Sequence, residues 1–379
     1  MILRKWQSEI IGRYKAICLK HKKFILKAPT GAGKTILASE IIKKFYKNKK
    51  IIVLCHRLVL LEQLEKELSI EHKVKKLGIS EKKISFKDAD IILSTNLRSQ
   101  DAMASIISEA DLIIIDEAHR VSPAGKAYKQ ILDIFDENSK INSRIIGLTA
   151  SPERRTGNQN DQLGLTFDAI IDCADINSLI NENVLVEPVY KPYFIHDLNL
   201  NHTEIKNGDF PISVLSNAII KSSMINYAAS IYAKERCKVK PKPISAWFCP
   251  DIAVAEKTLE EIKTKNIVSE MLTAITPSSD RKRILDDHHS GKLEALVSVG
   301  VLVEGWDNPN CNIIVHLRPT LSKVLWGQSV GRGLRSSLNK DKCVVIDVSS
   351  NWSTFGPVEN LKWDLWSHRR SFMKFKNRF

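Results

Sequence analysis

The octet APTGAGKT, Ala28 to Thr35, constrains this chain most, because DEAH at Asp116 to His119 answers it. A glycine-rich loop that opens a helix presents backbone N–H groups to phosphate oxygens, and the helix dipole favours the same negative charge. Thr30, Gly31, Ala32 and Gly33 would form the cradle, Lys34 would reach the β- and γ-phosphates, and the Thr35 hydroxyl would ligate Mg²⁺. The second motif supplies the carboxylates such a cradle needs. Asp116 would hold the metal, and Glu117 would orient or deprotonate the attacking water. Together the two motifs imply hydrolysis of a nucleoside triphosphate, although Ala28 stands where the strict signature has glycine.

The surroundings have the required order. Phe24 to Leu26 is a short apolar run behind the basic cluster Lys20, Lys22 and Lys23, as expected for a buried strand. After Thr35, the apolar residues Ile36, Leu37, Ile41, Ile42 and Phe45 recur at helical spacing. Further strands are expected at Ile51–Leu54, Ile91–Leu93, Leu112–Ile115 and Ile145–Leu148, with a helix from Leu58 to Leu68. The polar loop from Pro152 to Leu165 follows. Two prolines between Glu187 and Pro192, then irregular sequence to Pro211, suggest a connection between domains, and Ile212 to Lys234 reads as helix. Alternation restarts with strands at Ile244–Cys249, Ala295–Val299, Ile313–Leu317 and Val344–Val348, and a helix near Ala253–Lys265.

The chain of 379 residues suits two or three domains. Its 43% hydrophobic and 26% charged content is ordinary for a globular protein. No apolar run is long enough to cross a bilayer, and MILRKWQSEI is broken by charge too early for a secretory signal, so a cytoplasmic protein is expected. The seven cysteines form no CxxC pair, which argues against a zinc ribbon or a disulfide framework. The net charge of +14 favours a polyanionic partner, and Met1 to Lys50 holds 14 Lys and Arg against only Glu9 and Glu40. Solvated surface lysines are the plain alternative.

Two runs in the second half complete the pattern: VSVGVLVEGWDNP, Val297 to Pro309, and WGQSVGRGLR, Trp326 to Arg335. With them the chain resembles a superfamily 2 helicase or translocase of DEAH type. That resemblance implies an α/β fold of two tandem RecA-like domains, each a mainly parallel sheet with helices on both faces, which close on ATP and Mg²⁺. The boundaries expected are 1–187 for the first domain, 188–243 for a connecting segment, 244–350 for the second domain and 351–379 for a basic, aromatic tail.

By the same resemblance, Gln7 in LRKWQ would read the adenine edge, with Arg4 nearby. Arg57 in CHRLVLLEQ and Thr95 and Asn96 in STN would touch the strand, and TAS at Thr149 to Ser151 would link nucleotide state to grip. Ser298 and Gly300 would face the nucleic-acid backbone, while Gly305 and Asp307 would face the nucleotide. Gln328 would sense the γ-phosphate, and Arg332 and Arg335 would be arginine fingers, able to speed hydrolysis by about 10³–10⁵ by offsetting transition-state charge. Trp306 reads as packing rather than base stacking.

TASPERRTG, LGLTFDAII, LINENVLVEP and HLRPT resemble the RadD- and UvsW-like repair and recombination group. This implies ATP-dependent remodelling of branched DNA such as forks and Holliday junctions, by a chain acting as a monomer. The compact motif spacing looks like a phage-encoded member. An RNA helicase, the translocating subunit of a restriction system and a non-catalytic scaffold remain as alternatives. In the tail, Trp352, Trp363 and Trp366 are interleaved with Arg369, Arg370, Lys374, Lys376 and Arg378, a pattern suited to single-strand contact. Helical spacing instead favours Trp363 and Trp366 docking on the second domain.

Overall fold

Strands that read IIVL, LIIID and SAWFC are apolar at every position or nearly so, which suits a parallel sheet covered on both faces rather than a half-solvated one. Both sheets of this protein are built that way. The computed structural model describes residues 3–55, 62, 64–66, 68–70, 72–76, 85–87, 89–94, 106–123, 125–154, 162–200, 203–240, 242–303, 306–338 and 340–366. The predicted helix from Leu58 lies largely outside them.

The first unit spans Met1–Asp175 and takes in Trp363–Ser367. Its strands are β1 (Lys23–Lys27), β2 (Ile51–Leu54), β3 (Val74–Lys76), β4 (Ile91–Ser94), β5 (Leu112–Asp116), β6 (Arg144–Thr149) and β7 (Ala169–Asp172). They lie in the order β3-β4-β2-β5-β6-β1-β7, all parallel. Lys27 is level with Thr149 and Asp116 with Leu148, so β1, β6 and β5 end side by side on one edge of the sheet. Ile25, Ile113, Ile145 and Phe167 are among the buried residues of its core.

The second unit begins at Ile176. Its strands are β8 (Glu187–Pro192), β9 (Ser245–Cys249), β10 (Ser269–Leu272), β11 (Ala295–Val299), β12 (Ile313–His316) and β13 (Lys342–Asp347), in the order β10-β11-β9-β12-β13-β8. This sheet is parallel throughout. Two tandem parallel-sheet domains flanked by helices are therefore present, as the resemblance implied.

The domain boundaries need correction. The first unit ends at Asp175, not 187, and residues 188–243 are no linker. Glu187–Pro192 is the strand β8, paired along its length with β13. Its two prolines are tolerated because β8 is an edge strand, with one side free of ladder bonds. The single helix expected over Ile212–Lys234 is two helices, Ile212–Lys221 and Met224–Arg236. Ser222 and Ser223 break it: the Ser222 hydroxyl donates to Ile219 O, and Ser223 gives its N–H and hydroxyl to Asp197. Both helices bury apolar residues in the core of the second unit, including Leu215, Ile219, Ala228 and Tyr232.

The tail also differs from expectation. Trp363 and Trp366 are not helical, and residues 363–366 pack with the first unit, not the second. Leu365 lies against that unit's core, and its carbonyl accepts the Gly164 N–H at 3.1 Å. The Trp366 ring sits where a Gly164 side chain would project, so only glycine allows the approach. Local backbone pairing, invisible to a helical-period reading, decided this. The basic residues from Arg369 onward are outside the described residues.

Gly333 ends the helix Lys323–Gly333, and a Cβ there would collide with Cys343 Sγ and lie 2.7 Å from Ile314 Cγ1. Gly333→Ala is expected to cost about 1–3 kcal/mol by overpacking, read as a melting temperature lowered by roughly 2–4 °C per kcal/mol. An unchanged melting temperature would show that the helix can shift at no cost.

Candidate nucleotide and strand-contact sites

In the first unit, the strand β1 delivers the glycine loop to the carboxyl edge, and the helix Lys34–Phe45 leaves it. Gly31 (φ 81°) and Gly33 (φ 98°) occupy left-handed backbone that a side chain would strain. The Lys34 ammonium donates to Ala28 O at 3.0 Å and Pro29 O at 3.1 Å. Thr35 lies in the first turn of the helix.

Arg4 and Gln7 clasp this loop from the helix Lys5–Lys20. Arg4 Nη1 donates to Ala32 O and, at 3.4 Å, to Gly31 O. Gln7 Nε2 donates to Gly33 O at 3.0 Å, while Gln7 Oε1 accepts the Arg4 N–H at 2.9 Å. A Cβ on Gly33 would lie 3.0 Å from Gln7 Nε2. The expected adenine readers are thus fixed to the phosphate loop itself.

Asp116 is the last residue of β5 and only 9% exposed; the Cys55 thiol donates to its Oδ2 at 3.5 Å. Glu117 follows in left-handed backbone (φ 50°, ψ 51°), a conformation that costs a non-glycine residue about 1–3 kcal/mol and often marks functional sites. His119, on the short turn Ala118–Arg120, is within 2.9 Å of the Thr149 hydroxyl and 3.5 Å of Glu117 Oε2 through Nδ1. Thr149 Oγ1 in turn accepts the Ser151 N–H at 3.1 Å. DEAH and TAS are therefore joined side chain to side chain, because β5 and β6 are neighbours.

In the second unit, Gln328 and Arg332 lie on the helix Lys323–Gly333 and are 4% and 2% exposed. Arg332 donates through Nε and Nη2 to Val303 O, at 2.9 and 2.7 Å, and through Nη1 to Trp306 O at 3.0 Å. Arg335 donates to the same Trp306 carbonyl at 3.1 Å and pairs with Asp307. Trp306 is buried against the His288 ring, the packing role expected of it.

Ser298 requires correction. It is fully buried on β11, and its hydroxyl donates to Trp247 O at 3.1 Å, so it faces the sheet and not a nucleic acid. A serine on a strand buried on both faces has only the neighbouring backbone to bond. Gly300, just beyond the strand, is exposed, left-handed (φ 72°) and open around its Cβ direction, which suits close approach of a backbone. Arg57, Thr95, Asn96 and Gly305 lie outside the described residues.

Sequence reasoning missed Cys55, His288, Asn308 and Lys340. Asn308 and Cys55 sit inside runs already singled out, VSVGVLVEGWDNP and CHRLVLLEQ; His288 and Lys340 carried no local signal. Lys340 is 8% exposed and donates to Pro309 O at 2.9 Å and Arg335 O at 2.7 Å.

Comparison with known proteins agrees with this geometry. The profile of the type III restriction enzyme res subunit matches residues 1–154, and that of the helicase conserved C-terminal domain matches residues 231–337. Over both stretches the chain is similar to helicases, and the relatives it matches along most of its length include proteins named as ATP-dependent helicases. The chain is 27% identical to the Saccharomyces cerevisiae protein IRC3, named as an ATP-dependent helicase, over 91% of this chain and 51% of that one. It is 25% identical to a 51.5 kDa protein of a Lactococcus phage, over 88% of this chain and 67% of the relative. The DNA 3'-5' translocase XPB2 of Sulfurisphaera tokodaii is 23% identical over 90% and 79% of the two chains. The chain thus spans 51% and 67% of the length of the first two of these relatives. Among solved structures, a fragment of a type I restriction HsdR subunit from Vibrio vulnificus superposes with a TM-score of 0.70 at 19% identity, covering 94% of this chain and 66% of that one. The helicase domain of Pyrococcus furiosus Hef gives 0.55 at 18% identity, over 92% and 96%. These structures support the fold. No described helix of the chain is long and apolar enough to cross a membrane.

Burial holds two histidines of the second unit far below their ordinary pKa: His288 to about 4 and His316 to about 3. Because the folded-state values lie below the unfolded value of 6.5, the unfolded chain takes up protons first on acidification. Their contribution is whole above pH 6.5 and is lost as pH falls towards 4. The melting temperature of the second unit should fall over that window; calorimetry showing a flat profile would contradict the neutral, buried assignment.

Proposed function

We propose that this protein is a superfamily 2 helicase, an ATP-driven motor on DNA that remodels or unwinds branched substrates, forks and Holliday junctions, in repair, recombination or replication. The observation that most supports the reading is the alignment of three motifs on neighbouring strand ends: the phosphate loop after β1, TAS after β6 and DEAH after β5. Their bonded neighbour, His119 to Thr149, gives a change at the carboxylates a direct route to the TAS loop. The surplus of cations supports a polyanionic partner.

In this reading Lys34 exchanges its loop carbonyls for the β- and γ-phosphates, since a phosphate is the stronger acceptor for an ammonium. Thr35 and Asp116 offer the hard oxygen donors that Mg²⁺ takes, and among the described residues no cluster of His, Cys, Asp and Glu could cage a metal alone, which fits an ion shared with phosphate and water. When bound, that ion would neutralise charge on the phosphates. Glu117, held in its left-handed backbone, orients the attacking water and accepts its proton. By their place in the motif, Gly305 and Asp307 would face the nucleotide. Gln328, Arg332 and Arg335 respond to the γ-phosphate and stabilise the charge that develops on it, so catalysis requires domain closure. Gly300, with Arg57, Thr95 and Asn96, follows the strand.

A second reading is favoured by the res-subunit match and by the superposition on HsdR: translocation along unbranched duplex without strand separation. Triplex displacement on linear duplex, compared with unwinding of forks and four-way junctions and with RNA stimulation of ATP hydrolysis, separates these activities. Preference for linear duplex, or for RNA, would remove the branched-DNA reading.

Lys34→Ala should abolish ATP hydrolysis while leaving DNA binding measurable; retained turnover would refute the cradle. Arg335→Ala should leave nucleotide affinity nearly intact and cut DNA-stimulated turnover by about 10³ or more, a result checked by paired binding and turnover assays.

A further inference from the structure

The turn Trp306–Pro309 is held by three sets of contacts in the second unit, and only one of them is made by side chains already given a role. In that set the two arginines share the Trp306 carbonyl. In the second set, Asn308, 1% exposed, directs both its amide nitrogen and its oxygen at neighbours. Its Nδ2 donates to His288 Nδ1 at 3.0 Å and to His288 O at 3.1 Å, and its Oδ1 accepts the Asn310 N–H at 3.0 Å. His288 Nδ1 accepts in that bond, so its proton sits on Nε2, 3.0 Å from Ser245 O on β9. This fully buried ring also packs on Trp306. The third hold is Lys340, whose buried ammonium bridges Pro309 O and Arg335 O.

Buried polar groups that are bonded to one another fix one geometry, because any displacement leaves a donor or acceptor unpaired away from water. The turn therefore has little freedom, and neither do the carbonyls against which the guanidinium groups are aimed. A hydrophobic residue at 288 or 308 would fill the space equally well but would not set the carbonyl direction.

We infer that Asn308, His288 and Lys340 are positioning residues that hold the Trp306–Pro309 turn and, through its Trp306 carbonyl and the Arg335 backbone, aim the Arg332 and Arg335 side chains. The inference rests on the proposed role of those arginines in hydrolysis. None of the three positioning residues needs to touch nucleotide or nucleic acid.

The test pairs Asn308→Leu, which removes the His288 bonds at similar volume, with Lys340→Met, which keeps the stem and removes the ammonium. Asn308→Ser serves as a milder variant, and Ile262→Val, a core change away from the turn, serves as a control for loss of stability. Each positioning variant should lower kcat for DNA-stimulated ATP hydrolysis by about tenfold or more, equivalent to about 1.4 kcal/mol in the barrier, with KM for ATP held within about threefold. The control should keep kcat. In nitrogen-15 spectra of arginine-labelled protein, the Arg332 Nε–H, which donates to Val303 O, should shift in the variants and not in the control. A kcat within about twofold of wild type, or an unmoved Arg332 resonance in every folded variant, overturns the inference. Wild-type protein without DNA-stimulated hydrolysis would instead overturn the proposed function.

Discussion

A parallel sheet covered on both faces leaves one place for polar chemistry, the edge where the strands end. Seven parallel strands in the first unit and six in the second obey this constraint. Side chains inside the strands face apolar neighbours, so a charged or flexible group must wait for the loop beyond. Asp116 is the last residue of β5, and Thr149 the last of β6. Ser298 shows the converse. One residue short of the end of β11, its hydroxyl has only a neighbouring carbonyl to bond.

Within that edge, much of the positioning is done by backbone carbonyls. Arg4, Gln7 and Lys34 all bond carbonyls of the phosphate loop, and Arg332, Arg335 and Lys340 all bond carbonyls of the segment beyond β11, Lys340 also that of Arg335, two residues past the helix Lys323–Gly333. Long cationic side chains are thereby placed by main chain, which is itself fixed by glycine in one unit and by the Asn308–His288 pair in the other. Such contacts keep a flexible side chain desolvated and ordered until a stronger acceptor competes for it.

The tail is a separate matter. Its last described residues lie beside the turn that starts at Leu163, with Trp366 over Gly164 and Leu365 packed against the core of the first unit, although the preceding 187 residues, Ile176 to Lys362, form the second. The chain therefore passes between its two units at Asp175 and again at Lys362. Gly164 is needed because its missing side chain makes room for an indole ring.

The sequence by itself determined the chemistry and most of the strands. APTGAGKT, DEAH and the apolar runs that precede them are local patterns, and a run buried on both faces reads the same wherever the rest of the chain goes. What tertiary structure decided were the features that depend on distant partners. Glu187–Pro192 looked like a linker because prolines break a ladder, yet pairing with β13 from one side made it an edge strand. His288, Asn308 and Lys340 are spread over 53 positions, from 288 to 340, and only folding brings them to one turn. No periodicity or spacing encodes a hydrogen bond between residues so far apart, because its energy exists only once both groups have lost their water.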